Sequence, residues 1–240
     1  MINKYLNQKI ALQFSGGKDS LACLFLLKDY WESITVVWVN TGAAFPETLK
    51  QMEFIKSIVP NFLEVNSNQP LSIEMNGYPS DVIDSWATPL GRLIDKSEIK
   101  KMQAPFDCCN TNLWQPMQRA MEGFTVIIRG QRNDEKKKSP IRSGYEENGT
   151  TYLFPLEDWT EEDVLGFLKK ECIPLPDNYN YFNSSLDCWS CTAYLKENIG
   201  KNEYMRILHP DLHEKRQFAL KDIIDSVSTE LDMMKAYYAN

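Results

Sequence analysis

The chain has 240 residues, 43% of them hydrophobic and 25% charged, with a net charge of −7, the composition of one globular domain with room for an appendage. This balance excludes a broad basic nucleic-acid surface and leaves only a local patch for a nucleic-acid substrate. Residues 1–9 lack a signal-peptide apolar region and no apolar run reaches transmembrane length, so a cytoplasmic protein with no membrane partner is expected, its six cysteines serving as thiols or metal ligands rather than structural disulfides.

The first elements read as strand, glycine turn, helix. Ile10, Ala11 and Leu12 lead into Phe14-Ser-Gly-Gly-Lys-Asp-Ser20, and the apolar run Leu21–Leu27 leads out. Gly16 and Gly17 let the backbone turn tightly and approach a ligand without a Cβ in the way. A helix starting near Lys18 points its free N–H groups over the turn, which favours phosphate. Ser15 and Ser20 add hydroxyls, Lys18 a positive charge, and Asp19 completes the string. The spacing matches neither Gly-x-x-x-x-Gly-Lys-Ser/Thr nor Gly-x-Gly-x-x-Gly. Ser15-Gly-Gly-Lys-Asp-Ser20 resembles the PP-loop of the adenine nucleotide alpha-hydrolase-like superfamily, which implies an adenine nucleotide at this turn.

Ile34–Val39 is β-branched and continuously apolar, as a strand buried on both faces requires. Asn40-Thr-Gly-Ala-Ala-Phe-Pro-Glu-Thr48 follows it. Pro46 and Glu47 suit a helix start, and Leu49, Met52, Ile55 and Ile58 recur at helical spacing. Phe62–Val65 is a short third strand. Strands alternating with helices predict an α/β fold, a doubly wound and mostly parallel sheet flanked by helices, with ligands beyond the C-terminal strand ends. Residues 40–48 are similar to the Asp-Thr-Gly-x-x-Phe-Pro-Glu-Thr motif of the phosphoadenosine or adenosine phosphosulfate reductase family, with Asn40 in place of the aspartate. That likeness implies that Asn40, Thr41 and Gly42 lie near the nucleotide.

Residues 66–105 carry no assignable chemistry. Ile94–Met102 reads as helical, with Lys96, Lys100 and Lys101 on a solvated face. Two cysteine elements follow: Phe106-Asp-Cys-Cys109 and, far downstream, Asp187-Cys-Trp-Ser-Cys-Thr192. A lone Cys-x-x-Cys is a redox pair or half of a zinc site; the two elements together supply the four ligands of a zinc or iron–sulfur site. Adjacent Cys-Cys with a remote Cys-x-x-Cys resembles the [4Fe-4S] pattern of the adenosine phosphosulfate reductase type. This implies Cys108, Cys109, Cys188 and Cys191 as ligands, with zinc as the alternative metal. The lysine associated with that motif is absent, and Asp107 precedes the pair. Cys23 and Cys172 read as buried small hydrophobes in helical segments.

Pro116 is expected to open a helix through Met121, and Phe124–Ile128 to form the next buried strand. Gly130-Gln-Arg132 and Ser139-Pro-Ile-Arg142 resemble the family's Gly-x-Arg-Arg loop and its later arginine, with Asn133 replacing the second arginine. Guanidinium forks suit phosphate or sulfate oxygens, so Gly130, Arg132 and Arg142 join the expected nucleotide site, while Lys136–Lys138 is a solvated basic run. Thr160-x-x-Asp163 is a capping box with Trp159 and Val164 as a staple. Phe218, Ile223, Ile224, Val227 and Leu231 form a helical stripe for core or homodimer contact. His209 and His213 receive no role.

The expected division is a nucleotide-binding domain with an iron–sulfur site over residues 1–205 and a helical segment over 206–240. The reductase family uses a C-terminal Glu-Cys-Gly-x-His segment as nucleophile, and no cysteine follows Cys191 here. The resemblance therefore implies an enzyme of sulfur transfer or adenylyl transfer, for example nucleic-acid thiolation, using ATP with magnesium and a sulfur donor. A true sulfonucleotide reductase with an adenosine phosphosulfate-type substrate and an electron-donor protein, or a noncatalytic nucleotide-binding regulator, are the alternatives.

Overall fold

The computed structural model describes residues 2–94, 102–136, 138–186 and 188–238. In chain order its elements are β1 (Ile10–Gln13), α1 (Lys18–Leu26), β2 (Ile34–Asn40), α2 (Pro46–Ile58), β3 (Phe62–Asn66), α3 (Gln69–Asn76), β4 (Tyr78–Pro79), α4 (Pro89–Ile94), β5 (Met102–Gln103), α5 (Pro105–Cys109), α6 (Gln115–Ala120), β6 (Val126–Ile128), β7 (Tyr145–Glu147), β8 (Thr150–Leu153), α7 (Glu161–Lys170), α8 (Ile199–Leu208) and α9 (Pro210–Tyr238). They form two units: Met1–Asn40, Phe45–Asn66 and Pro116–Tyr179 make the first, and Thr41–Ala44, Ser67–Gln115 and Asn180–Asn240 the second.

The first unit is a six-stranded sheet of order β3-β2-β1-β6-β8-β7. All neighbours are parallel except the edge pair β7–β8. The doubly wound, mostly parallel α/β fold expected from the sequence is the observed one. Ile10, Ala11 and Leu12 of β1, Val36 and Val37 of β2 and all of β6 are buried, which is why these strands read as continuous apolar runs. On one face Ala11, Val37 and Ile127 gather with Met121, and Met117, Ala120 and Tyr152 pack around them. α1 buries Leu21, Ala22, Cys23 and Leu24, and α7, which lies beside it, buries Val164 and Leu168. Because β1 and β6 are neighbours, the loops that leave their C-terminal ends are neighbours too.

Several local readings change. The β7–β8 hairpin was not expected. Asn148 and Gly149 both take positive φ, 51° and 79°, the pattern of a two-residue hairpin turn. Cys172 is exposed, not a buried helical residue. α7 ends at Lys170 with Glu171 as its C-cap, and Cys172 follows with φ 55°, donating its N–H to the Lys169 carbonyl. Pro116 does not open its helix: α6 begins at Gln115 directly after a π-helical turn, Asn110–Trp114. The last strand of the apolar run starts at Val126 rather than Phe124. The stretch read as helical around Lys96, Lys100 and Lys101 lies outside the described residues.

In the second unit β4 and β5 form a short parallel pair, with Tyr78 opposite Met102. α8 and α9 pack together. Their junction is filled by Tyr204, fully buried, whose ring meets Tyr181, Phe182 and His209 at 5.4, 5.8 and 5.5 Å. Among the described residues no helix is long and apolar enough to cross a membrane.

Candidate functional site

The turn after β1 is built as its sequence suggests. Gly16 takes φ 81°, and the Gln51 amide of α2 donates to its carbonyl at 3.0 Å. Gly17 is the N-cap of α1 but supplies no side-chain acceptor. The hydroxyls do part of that work. Ser15 Oγ accepts from Gly17 N–H at 3.3 Å and lies 3.2 Å from Ser20 Oγ, which donates to the Gly17 carbonyl at 2.9 Å. The Lys18 N–H, free by position in a first helical turn, donates to the Tyr179 hydroxyl at 2.8 Å.

The charges around this turn are more balanced than the sequence suggests. Lys18 is 7% exposed, and its ammonium pairs with Asp19 at 3.2 Å and Glu161 at 3.5 Å. Arg132 is equally enclosed. Its Nε donates to Asp19 Oδ1 at 2.7 Å, and its Nη1 to both Asp134 oxygens at 2.6 and 2.7 Å. Burial pulls the Arg132 pKa down, and the surrounding Asp19, Asp134 and Glu135 carboxylates more than offset it, so the net direction is up. Burial raises the Glu135 carboxyl. Arg142 is 68% exposed and pairs with Glu157 at 2.7 Å. Asn40 donates its amide to Glu64 at 2.9 Å.

The second unit gathers the cysteine elements. Thr41 Oγ1 lies 3.1 Å from Cys188 Sγ, and Cys109 Sγ lies 3.7 Å from the Tyr194 hydroxyl. Gln69 and Asn112 each aim an amide N–H at Cys108 Sγ from 3.8 Å. Ser190, inside the Cys-x-x-Cys, donates to the Gln69 carbonyl oxygen, so one amide links both elements. Burial pushes the Cys108 thiol up, to about 11, with Cys109 and Cys191 adding to the rise and the Gln69 and Asn112 donors opposing it. Two buried cations hold the Cys-x-x-Cys backbone: Lys201 Nζ donates to the Cys188 carbonyl and Arg216 Nε to the Cys191 carbonyl, both at 2.9 Å. Gly42, φ 76°, is packed so that a Cβ would lie 3.4 Å from the Ser67 carbonyl. Among the described residues the cysteines form no disulfide, and no three His, Cys, Asp or Glu side chains are arranged to hold a metal ion. The donor set nonetheless suits a thiolate-bound cluster: four thiols, N–H donors aimed at sulfur, and buried cations behind one pair of ligands.

The phosphoadenosine phosphosulfate reductase domain model matches residues 9–194. The chain belongs to this family. An adenosine 5′-phosphosulfate reductase of Geobacillus sp. (strain WCH70) is 26% identical over 185 residues, 75% of this chain and 71% of that protein. Adenosine 5′-phosphosulfate reductase 2 of Bacillus subtilis is 24% identical over 191 residues, covering 77% and 73%. The crystal structure of the Candida auris phosphoadenylyl-sulfate reductase, a phosphate complex, superposes with a TM-score of 0.50 at 15% identity over 75% of this chain and 81% of that one, a likeness of fold.

On the family fold, Ser15–Ser20, Asn40, Gly130, Arg132 and Arg142 lie in the first unit, and Thr41, Gly42 and the four candidate ligands in the second. Sequence reading missed Tyr179, Glu161, Asp134 and Glu135 around the glycine turn, and Gln69, Asn112, Tyr194, Lys201 and Arg216 around the thiols. None sits in a motif. They reach their partners through the fold, and only the short Asp134-Glu135 acidic step beside Arg132 offered a local signal.

Proposed function

We propose that this family member binds an adenine nucleotide at the glycine turn of the first unit, carries a [4Fe-4S] cluster in the second and catalyses nucleotide-dependent sulfur or adenylyl transfer. The observation that carries the reading is the turn itself: two glycines, two hydroxyls, the α1 N-terminus and an enclosed lysine converge at the C-terminal end of a central parallel strand. Ser15, Gly16, Gly17, Lys18, Asp19 and Ser20 would hold the phosphates. Arg132 and Arg142 would take a distal phosphate or sulfate by exchanging carboxylate partners for ligand oxygens. Asn40 and Gly130 complete the proposed binding set of the first unit. Magnesium would accompany ATP.

Cys108, Cys109, Cys188 and Cys191 would hold the cluster, which supplies electron storage or a sulfur-handling centre when bound. Gln69 and Asn112 would donate to a ligand sulfur, and Lys201 and Arg216 would set positive charge behind the Cys-x-x-Cys. A second reading, a sulfonucleotide reductase fed by an electron-donor protein, is favoured by relatives that carry the name adenosine 5′-phosphosulfate reductase. Anaerobically purified protein is incubated with ATP or with adenosine phosphosulfate, following pyrophosphate, AMP and sulfite. Pyrophosphate and AMP from ATP, in the presence of an acceptor and a sulfur donor, support the transfer reading. Sulfite from adenosine phosphosulfate with a thiol donor replaces it by the reductase. Binding without turnover of either nucleotide points to a regulator. Iron and acid-labile sulfide test the cluster directly. A homodimer through the exposed Leu231, Met234 and Tyr238 of α9 is the oligomer to test by light scattering.

A further inference from the structure

Arg129 directly follows β6, between a buried strand and Gly130. Its N–H donates to the Leu153 carbonyl at 3.0 Å, continuing the ladder toward β8. Ile127 pairs with Tyr152 in that ladder. Residues two apart share a sheet face, so Arg129 lies on the Tyr152 face, and its guanidinium carbon sits 5.4 Å from the Tyr152 ring centroid. Its Nε is buried and has no hydrogen-bond partner.

The neighbouring cations all have carboxylate partners. Lys18 has Asp19 and Glu161, Arg132 has Asp19, Asp134 and Glu135, and Arg142 has Glu157. Among the described residues no carboxylate pairs with Arg129. Arg129 is partly exposed, and a cation partly withdrawn from water without an anion costs free energy that the ring face offsets only in part. Its pKa is accordingly lowered, burial being the main cause. The position is also that of a ligand residue, at the C-terminal end of a central parallel strand. The next residue, Gly130, lies against the Asp19 backbone of the glycine turn.

We propose that Arg129 is an anion-binding residue that takes a sulfate or phosphate oxyanion of the substrate, with the Tyr152 ring holding its guanidinium plane. This deepens the nucleotide reading and rests on it for the identity of the anion's carrier, so the test separates the two. Equilibrium dialysis of the full chain uses inorganic sulfate as one probe and adenosine, which carries no anion, as the other. Arg129→Gln is expected to weaken sulfate binding about tenfold or more, the worth of one charged hydrogen-bonding partner, with Arg129→Lys recovering part of the loss and adenosine affinity unchanged in both. Sulfate bound equally by Arg129→Gln and wild type, or not bound by wild type, overturns the proposal. Sulfate bound through Arg129 without any adenosine binding upholds it and sinks the nucleotide reading instead. Should Arg129→Gln fail to fold, phenylglyoxal labelling of the wild type decides: protection of Arg129 by sulfate supports the site, and labelling unaffected by sulfate refutes it.

Discussion

A Cβ built on Gly130 would lie 2.7 Å from the Asp19 carbonyl oxygen and 2.8 Å from its carbonyl carbon. Both are backbone atoms, so neither can swing away. At Gly16 a Cβ meets the Gln51 side-chain oxygen at 2.6 Å, a movable neighbour, and there the φ of 81° is the firmer constraint. Gly130 is therefore required for space: it lets the loop after β6 touch the loop after β1. Gly130→Ala is expected to separate the loops, destabilise the chain by about 1–3 kcal/mol as overpacking does, and weaken ATP or adenosine phosphosulfate binding at least tenfold. Thermal unfolding and nucleotide titration check this, and wild-type affinity in the variant would contradict the reading of one continuous loop site.

The same two loops are joined by charge. Arg132 and Asp19 meet at 2.7 Å with the Arg132 side chain 5% exposed and the Asp19 side chain 26%. Removing one partner of such an enclosed pair strands the other. Asp19→Asn and Arg132→Gln should each destabilise the chain, and the double variant should be less damaging than their sum. A coupling of about 0.5–3 kcal/mol from a double-mutant cycle in urea is expected. Additive effects would mean that Asp134 and Glu135 alone satisfy Arg132.

The central strands were legible because parallel strands buried on both faces leave an unbroken apolar run, as in Ile34–Val39, and the glycine turn and capping box were legible because they are local; the strand order was not, since it rests on contacts distant in sequence. The β7–β8 hairpin was equally local, signalled by Asn148-Gly149, but its strands are short and β7 is exposed throughout, so no alternation marked it. Cys172 was misread because helical periodicity continues past Lys170 in sequence while the backbone has already turned left-handed. The distant partners of Lys18, Arg132 and Cys108 were illegible for a different reason. Glu161 and Gln69 lie 143 and 39 positions from the groups they meet, and only the fold brings them there.

The capping box gives a pH-dependent prediction. Asp163 Oδ2 accepts from the Thr160 N–H at 2.8 Å and from its hydroxyl at 2.7 Å, and the Asp163 N–H donates to Thr160 Oγ1 at 3.2 Å. These bonds, the backbone one first, hold the Asp163 carboxyl below its ordinary value of 3.8. A depressed carboxyl contributes stability above its unfolded pKa and loses it as pH falls through the folded one. Thr160→Ala should cost about 1 kcal/mol at neutral pH. Against Asp163→Asn, the wild type's advantage should be full near neutrality and vanish as the pH drops below 3.8. A difference that persists in acid would assign the effect to packing rather than to the carboxylate.

The thiols can be ranked without assuming a metal. Cys172 is exposed, Cys23 fully buried, and Cys108 buried beneath its two amide donors. The thiolate is the reactive form. In chelator-treated, reduced protein, iodoacetamide at about pH 8 should label Cys172 first, Cys108 slowly and Cys23 not at all while the chain is folded. The Cys108 rate should climb as the pH approaches about 11. Its raised pKa keeps the folded thiol protonated where the unfolded one has ionised. The stability this confers is whole below the ordinary value of 9.0 and is lost as pH rises toward about 11. With the proposed cluster bound, the order of importance would reverse. Serine at Cys108, Cys109, Cys188 or Cys191 should abolish most bound iron, while Cys172→Ser leaves iron content at the wild-type level. Arg216→Met should retain iron but shift the midpoint potential downward, because a buried positive charge that would stabilise the reduced form of the proposed cluster is gone. Iron analysis and potentiometric titration read both effects. Undiminished iron in the Cys108 and Cys191 variants would remove the cluster from the second unit.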